Sequence, residues 1–344
     1  MTTLPTRRLA LGAALFSLGA CATGTATTTA TPAAPVAPEP VSVQLVDGLE
    51  GVFGRHAGQR RSGAKGVCAT GEFVATGAGA AFTTASTLQR NARSPVVARF
   101  SIGGGNPAAP DNAPSVRGLS LSLSGPGGDA HEFVLINTPV FTARTPESFV
   151  NFLRVRTPDP TTRAMNAQAV AAANAANPDW TPQIAYLRDN PPPASYATSA
   201  YFGVNSFVLI NRQGRQQVAR WTFEPVAGRI GLTPEERQAR GANFLADELR
   251  GRVARRPAEW RVLLQLPQPG DPIDDAVAAW PADRRTVEVG RLRITGVQPA
   301  GAAGACDAQL FNPTLLPAGI EPSADPILTI RAEAYAVSAS RRAQ

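Results

Sequence analysis

The chain has 344 residues and a formal net charge of +7, with 33 lysines and arginines against 26 acidic residues. That length accommodates one large domain or two small ones. The arginines are scattered instead of forming a basic patch with aromatic side chains, so the charge does not predict nucleic-acid binding. The chain has only two histidines and three cysteines, and it has no C-x-x-C pair, so a zinc site is not predicted either.

The first twenty residues have the order of a secretory signal peptide. Arg7 and Arg8 form a positive n-region, and the apolar stretch 9–18 is too short to span a bilayer. Residues 18–21, Leu-Gly-Ala-Cys, resemble a bacterial lipobox, which implies cleavage before Cys21 and lipid attachment to it. A plain signal peptide with an unmodified Cys21 remains an alternative, and the export route, general or twin-arginine, stays open.

An Ala/Thr/Pro-rich stretch over residues 21–42 is predicted to link this signal to a single domain at 43–344. The stretch has almost no charge and no large apolar side chain, so it cannot bury enough surface to offset its ordering entropy. The sequence therefore predicts an exported protein, held by a lipid at the periplasmic face of a bacterial membrane without spanning it.

The domain begins with apolar residues at helical spacing in 41–58, which predicts a helix. Short apolar runs separated by Gly/Pro clusters then predict antiparallel strands within 64–76, 95–103, 117–125 and 131–141. Helices are predicted over 145–156, with Thr145 as N-cap and Pro146 at the first position, and over 162–177.

The second half of the domain continues this mixture of elements. A hairpin is predicted over 199–226, with its turn at 211–214, followed by one capped helix over 233–255 and a last strand over 259–269. Strands with flanking helices predict an α+β fold in which a large antiparallel sheet closes into a barrel.

Six phrases in the domain resemble the catalase superfamily, and most closely its small catalase-related peroxidases. They cover most of residues 43–342 in the family's order. The phrases are "RRSGAKG" (60–66), "VARFS" (97–101), "PDNAPSVRGLSLSLSG" (110–125), "NTPVF" (137–141), the hairpin 203–221 and "DPILTIRAEAYAVSASRR" (325–342). The resemblance implies a catalase-like barrel that binds haem, with haem b as the expected type.

The resemblance places the axial ligand of the haem iron at Tyr335, since a tyrosine is the iron ligand in catalases. Arg331 stands one helical turn before it, where a guanidinium would stabilise the phenolate. Arg60, Arg99 and Arg342 match family arginines that meet the haem propionates, a task that suits the guanidinium fork.

The opposite side of the haem departs from the family pattern. The family places a histidine where this chain has Gly63, and glycine has no side-chain proton to give or take. Ser101 matches the family's serine, Asn137 is the nearest match to its asparagine, and Phe149 is an expected apolar wall. In large catalases the first of two asparagines is used, and that position here is Ile136. Loss of a general acid–base typically costs about 10² to 10⁴ in rate.

Two functions are therefore expected as alternatives. One is a haem peroxidase that acts on hydrogen or organic peroxides with weakened activity, and the other is a catalytically degenerate lipoprotein that binds haem or senses it. The electron donor and the oligomeric state stay open. Cys68 and Cys306 are predicted either to pair, as cysteines do in an oxidising compartment, or to remain two buried thiols.

Overall fold

The computed structural model of the protein describes residues 38–342, and these contain ten strands. The strands are β1 (Gly66–Ala75), β2 (Arg93–Ile102), β3 (Arg117–Ser124), β4 (Ala130–Ile136), β5 (Tyr201–Phe202), β6 (Phe207–Ile210), β7 (Gln216–Pro225), β8 (Ala258–Gln265), β9 (Thr286–Val297) and β10 (Ile320–Pro322). Eight of them close into an antiparallel barrel in the ring order β1, β2, β3, β4, β5, β7, β8, β9. The short strands β6 and β10 extend from β7 outside this ring.

Seven α-helices accompany the barrel in the described part of the chain. They are α1 (Val41–Phe53), α2 (Pro146–Arg156), α3 (Ala167–Ala176), α4 (Thr181–Asp189), α5 (Pro234–Ala239), α6 (Leu245–Arg255) and α7 (Pro326–Arg342). None of these helices has the length and apolar character needed to cross a bilayer. The predicted α+β class with an antiparallel barrel and flanking helices is thus confirmed.

The barrel interior holds the main hydrophobic core. Leu119, Leu121 and Leu123 alternate along β3 and are buried, while the residues between them face the other side of the sheet. Phe100 on β2 packs against Trp260 on β8 with ring centroids 5.7 Å apart, although these strands are not neighbours in the ring. Such a contact requires both side chains to point into the barrel. Because the sheet closes into a barrel, every second side chain of a strand points into this interior and is buried.

The outer face of β1 to β4 carries a different set of side chains. Because facing residues of paired strands share a side of the sheet, the register places Cys68 beside Arg99, Ser101 beside Gly118, and Gly118 beside Ile136. Helices α1 and α2 contact each other through the buried Leu45, Val150 and Leu153, and Ile330 and Ala334 of α7 pack against this apolar cluster. The candidate site lies between this outer sheet face and these helices.

Several local predictions agree with the structure. Thr145 caps α2 by accepting a hydrogen bond from the Ser148 N–H, and the hairpin of β6 and β7 turns at 211–214. Thr233 and Glu236 form the predicted capping box at the start of α5. Helix α1 begins at Val41, two residues before the predicted domain start at residue 43. The predicted signal peptide and Cys21 lie outside the described residues.

One secondary-structure prediction was wrong, and one strand of the barrel was not predicted. The stretch 233–255 is not one helix, because it breaks between α5 and α6, where the Asp111 carboxylate accepts hydrogen bonds from the backbone N–H groups of Phe244 and Leu245. This cap comes from a distant loop and leaves no local signal in the helix sequence. Strand β9, which closes the barrel between β1 and β8, was missed because glycines interrupt its pattern. Gly290 is required there because a Cβ would lie 2.2 Å from the Phe73 ring.

Candidate functional site

A cavity of about 520 Å³ lies between the outer face of the barrel and the helices. This volume is within the usual range for sites that enclose small molecules or cofactors. Most of the wall is apolar and comes from α1, α2, α7 and β4, while β2 and β3 contribute mainly small and polar side chains. The residues discussed below that line it are Arg60, Gly63, Arg99, Ser101, Ile136, Phe149, Leu310, Phe311, Arg331, Tyr335 and Arg342.

Helix α7 presents the predicted iron ligand to this cavity. Tyr335 and Arg331 are one turn apart, so both side chains lie on the same face of the helix. The Arg331 guanidinium donates two hydrogen bonds to the Tyr335 hydroxyl, from Nη2 at 2.7 Å and from Nε at 3.1 Å. Two donors directed at one phenol oxygen fix its position at the cavity wall.

Arg331 is itself held by groups that the sequence reasoning did not single out. Its Nη1 donates to Asn205 Oδ1 at 2.9 Å, and the Asn205 amide donates to a carboxylate oxygen of Asp325 at 2.8 Å. Asp325 is buried, which raises the pKa of its carboxyl, and it also caps the start of α7. Asn205 lies within the hairpin 203–221, one of the stretches that resemble the catalase superfamily. Its position in that stretch is the sequence feature that could have indicated its role.

The three arginines predicted to meet propionates all line the cavity, although they come from distant parts of the chain. Arg60 lies in the loop before β1, Arg99 on β2 and Arg342 at the end of α7. In the described residues each donates only to backbone carbonyls, and none forms a salt bridge. Arg99 donates to the carbonyls of Gly63 and Ala64 at 2.6 and 3.0 Å.

The positive charges of this arginine cluster (Arg60, Arg99 and Arg342) repel one another. Burial, together with the like charges of Arg99 and Arg342, lowers the pKa of Arg60 to about 10. Burial, with Arg342 among the nearby charges, lowers the pKa of Arg99 to about 10 as well. Arg60 and Arg99 therefore remain charged at neutral pH, and the nearby Asp307 carboxylate offsets only part of this lowering. No carboxylate among the described residues forms an ion pair with the cluster, which gathers positive charge beside the cavity. Such a site is complementary to an anionic ligand.

Gly63 also lines the cavity, and its backbone explains part of its identity. Its φ angle is +66°, in the left-handed region that glycine adopts most readily. A Cβ at this position would lie 3.1 Å from Ser101 Oγ and 3.4 Å from Ser101 Cβ. A side chain here therefore has little room on this backbone, and the position provides no proton-transfer group.

Ser101 and Phe149 lie where the sequence placed them. The Ser101 side chain is nearly buried on the cavity face of β2, and its hydroxyl has no hydrogen-bond partner among the described residues. Phe149 on α2 packs edge-on against Phe141, with centroids 5.1 Å apart, and contributes an apolar wall. Both positions are thus accessible to a molecule in the cavity.

The structure does not bring Asn137 to the cavity. Its side-chain oxygen instead accepts a hydrogen bond from the Arg117 backbone N–H at 2.7 Å, beyond the end of β4. Ile136 occupies the cavity wall, because it faces Gly118 on the outer side of the sheet and successive residues alternate sides. The choice of Asn137 as a peroxide-binding group is therefore corrected, and the family position used in large catalases is an apolar side chain here.

Apart from Tyr335, the described residues that line the cavity include no histidine, carboxylate, lysine or thiol that could transfer a proton. Among the described residues that line the cavity, the ionisable ones are arginines and Tyr335 alone. His56 is directed at the Phe53 carbonyl 3.1 Å away. His131 is fully buried in the barrel, where Nδ1 pairs with Thr87 Oγ1 at 2.9 Å and burial lowers the pKa of the imidazole to about 3.

The two cysteines of the described domain form a disulfide. Cys68 on β1 joins Cys306 in the loop before β10, with their Cα atoms 5.4 Å apart. The carboxylate of Asp307 lies near both sulfurs, but sulfurs joined in a disulfide are not thiolate ligands, so this cluster is not a metal site. Of the two alternatives left open by the sequence, the paired one is confirmed.

Comparisons with known proteins agree with this geometry. The catalase family model matches residues 28–343. A catalase-related peroxidase of Synechococcus elongatus is 41% identical over 335 residues, covering 97% of this chain and 95% of the relative. A catalase-related peroxidase of Mycolicibacterium paratuberculosis is 31% identical, covering 87% and 94%.

Larger catalases share the fold over part of their length. A catalase of Schizosaccharomyces pombe is 29% identical, and the match covers 79% of this chain but 56% of the relative. The crystal structure of a fungal catalase superposes with a TM-score of 0.76 at 21% identity, covering 84% of this chain and 60% of that one. The chain therefore belongs to the catalase superfamily and resembles its catalase-related peroxidases over nearly its whole length.

Proposed function

We propose that this protein is a haem peroxidase of the catalase superfamily that acts on hydrogen or organic peroxides with low efficiency. The observation that carries the proposal is the content of one cavity: a phenol bonded by a guanidinium, apolar walls, and three arginines, one buried and two half-buried, that form no ion pair with a carboxylate among the described residues. The two catalase-related peroxidases that are similar to this chain over most of its length support the same reaction class.

The residues present fit a haem, and haem b is the form we propose. Tyr335 would supply the iron ligand, with its hydroxyl oxygen held by two hydrogen bonds from Arg331. Arg60, Arg99 and Arg342 would pair with the two propionates, which supply the negative charge that this cluster lacks. Phe149 and its apolar neighbours would exclude water from the porphyrin faces. When bound, haem supplies the iron-centred redox chemistry by which peroxides are reduced.

The protein's own contribution to proton transfer is weak. Reduction of a peroxide requires a proton to move between its two oxygens, and a positioned acid–base group typically accelerates such a transfer by about 10² to 10⁴. Gly63 offers no such group, and the Ser101 hydroxyl is the polar side chain beside it. Ser101 can orient an oxygen by a hydrogen bond but is a poor base, so turnover is expected to be slow.

The alternative function is a haem-binding or haem-sensing lipoprotein without significant turnover. The specific observation that favours it is the absence of histidine, carboxylate, lysine and thiol side chains among the described residues lining the cavity. An absorption spectrum of purified protein, followed by peroxide consumption per haem, separates the two functions. Consumption clearly above that of an equal amount of free haem supports the peroxidase, and consumption no faster than free haem supports the binder.

We also propose that the protein is exported and attached by lipid at Cys21 to the periplasmic face of a membrane. The supporting features are the signal-like segment 1–20, the lipobox-like residues 18–21 and a disulfide, which persists in oxidising compartments. Membrane fractionation of wild type and Cys21→Ser tests this. Release of the variant into the soluble fraction is the expected result, whereas equal partitioning of both proteins contradicts the anchor.

A further inference from the structure

We propose that the segment 304–312, locked in place by the Cys68–Cys306 disulfide, positions the arginine cluster, so that disulfide formation controls how tightly the protein retains haem. The inference rests on the proposed function, because it concerns the propionate partners of a bound haem. Nothing in the family resemblance assigns a role to either of these cysteines.

The disulfide anchors the segment directly beside the cavity. Cys68 faces the cavity side of β1, and the strand register pairs it with Arg99 on β2. Its partner Cys306 is fully buried, and Phe311 packs on the two sulfur-bearing residues while also lining the cavity. The cross-link therefore holds the segment against the sheet at the point where the arginines converge.

The anchored segment provides most of the groups that hold two of the three arginines. Arg60 Nη2 donates to the carbonyls of Cys306, Asp307 and Gln309 at 3.0, 3.3 and 2.6 Å. Arg342 donates to the Asp307 carbonyl at 3.2 Å and lies 3.5 Å from the Ala308 carbonyl. Carbonyl dipoles that point at these cations offset part of their mutual repulsion.

Without that segment, the cluster has a physical reason to disperse. Like charges near Arg60 are among the causes that lower its pKa, and long arginine side chains gain entropy and hydration by turning to solvent. Besides the disulfide, the segment is held to the barrel by Phe311, which packs in a cluster with Val97 and Val134. It is also held by Glu132, whose carboxylate accepts from Gln309 Nε2 at 3.1 Å and from the Asn312 N–H at 2.5 Å. The disulfide and Glu132 are thus two anchors of one positioning element.

A consequence follows for the redox state of the chain. The two cysteines are 238 residues apart in sequence, so reduction releases a long-range constraint that local structure cannot replace. A chain whose cysteines stay reduced would keep Tyr335 and the apolar walls but would hold propionates less well. The Cys68–Cys306 bond forms when the two thiols pass two electrons and two protons to another protein disulfide, which is thereby reduced to a dithiol, and tight haem retention would be reached only after this exchange.

The test measures the rate of haem release to excess apomyoglobin from full-length wild type and from the Cys68→Ser/Cys306→Ser double variant. Each protein is loaded with haem or with haem dimethyl ester, whose propionates carry no charge. We expect the double variant to release haem about 10-fold faster or more, the effect of losing one charge-assisted hydrogen bond. Release of the ester should be nearly the same from both proteins.

The ester distinguishes an effect of the disulfide on the position of the arginines from an effect on the stability of the whole cavity. Equal acceleration for haem and ester would overturn the proposal, because the disulfide would then hold the whole cavity and not the arginines. Equal haem release from wild type and a folded double variant would overturn it as well. In both of these outcomes the proposed haem function still stands if the wild type takes up haem and its ester. If the wild type takes up no haem, the proposed function and this inference are both overturned.

A second variant keeps the inference testable if the double variant does not fold. Glu132→Gln retains the disulfide and weakens another anchor of the segment. We expect it to accelerate haem release without accelerating release of the ester. Glu72→Gln is the matched control, because Glu72 pairs with Arg93 and Arg293 on the barrel surface away from the cavity. No difference between these two variants would contradict the proposal.

Discussion

The Arg331 guanidinium donates two hydrogen bonds to the Tyr335 hydroxyl on one face of α7, from Nη2 at 2.7 Å and from Nε at 3.1 Å. This pair lies in the cavity that also contains the arginine cluster. The contact defines where a metal-binding phenolate would be, and Asn205 and Asp325 keep the guanidinium in position.

The first prediction concerns this pair. Tyr335→Phe removes the proposed ligand oxygen with little change in volume, so we expect haem content per chain to fall and the Soret band to shift. Arg331→Gln should weaken haem binding by about 10- to 100-fold, the usual effect of removing a partner of a metal ligand. Titration of apoprotein with haem measures both. An unchanged spectrum and equal haem content in Tyr335→Phe would show that the ligand is another group.

The second prediction concerns Gly63. Gly63→His should raise peroxide consumption per haem by about 10² or more, the lower effect of a positioned acid–base group. Gly63→Ala should leave consumption nearly unchanged. Because φ is +66° at this position, both variants should also lose about 1–2 kcal/mol of stability.

Tight contact at Ser101 complicates the Gly63 series and suggests a control. A Cβ at position 63 would lie 3.1 Å from Ser101 Oγ, so Ser101→Ala in the Gly63→His background relieves the closest contact. Thermal unfolding measured beside turnover separates strain from chemistry. If wild type already consumes peroxide as fast as Gly63→His, the argument from the missing base is wrong.

The third prediction concerns pH and His131. Burial lowers the pKa of this imidazole to about 3, below its ordinary value of 6.5, so the folded state keeps it neutral while the unfolded state takes up a proton. The unfolded state binds more protons between these two values. Stability is therefore expected to fall as pH drops below about 6.5, by up to about 1.4 kcal/mol per pH unit from this group.

Urea unfolding of wild type and His131→Asn between pH 4 and 8 tests this origin of the pH dependence. The variant keeps a polar partner for Thr87 but does not titrate in this range. We expect the variant to be less stable at pH 8, and its free energy of unfolding to decline less steeply toward pH 4. Parallel declines in the two proteins would assign the acid sensitivity to other groups.

The fourth prediction separates Asn137 from Ile136. Asn137→Ala removes the acceptor of the Arg117 N–H and should cost about 1–2 kcal/mol of stability while leaving the haem spectrum unchanged. Ile136→Asn instead brings an amide to the cavity wall and should alter the spectrum or the rate of peroxide consumption. The absorption spectrum and unfolding midpoint of each variant decide. A spectral change in Asn137→Ala alone would reverse our placement of the two residues.

Features that depend on neighbouring residues were determined by the sequence itself. The spacing of Arg331 and Tyr335 determines that they share a helix face, and the caps at Thr145 and Thr233 follow from local hydrogen bonding. Alternation in β3 determined which leucines enter the barrel. The motifs, kept in order along the chain, were sufficient to predict the superfamily that the comparisons confirmed.

Tertiary structure alone decided the rest of the site. Successive side chains of a strand point to opposite sides of the sheet. Which of Ile136 and Asn137 faces the cavity therefore depends on the register in which β4 pairs with β3, and this register is set by residues distant in sequence. The break before α6 depends on a carboxylate from a distant loop, Asp111. The arginine cluster and the Cys68–Cys306 bond unite segments more than 200 residues apart, because only the closed barrel and its docked helices bring these side chains together.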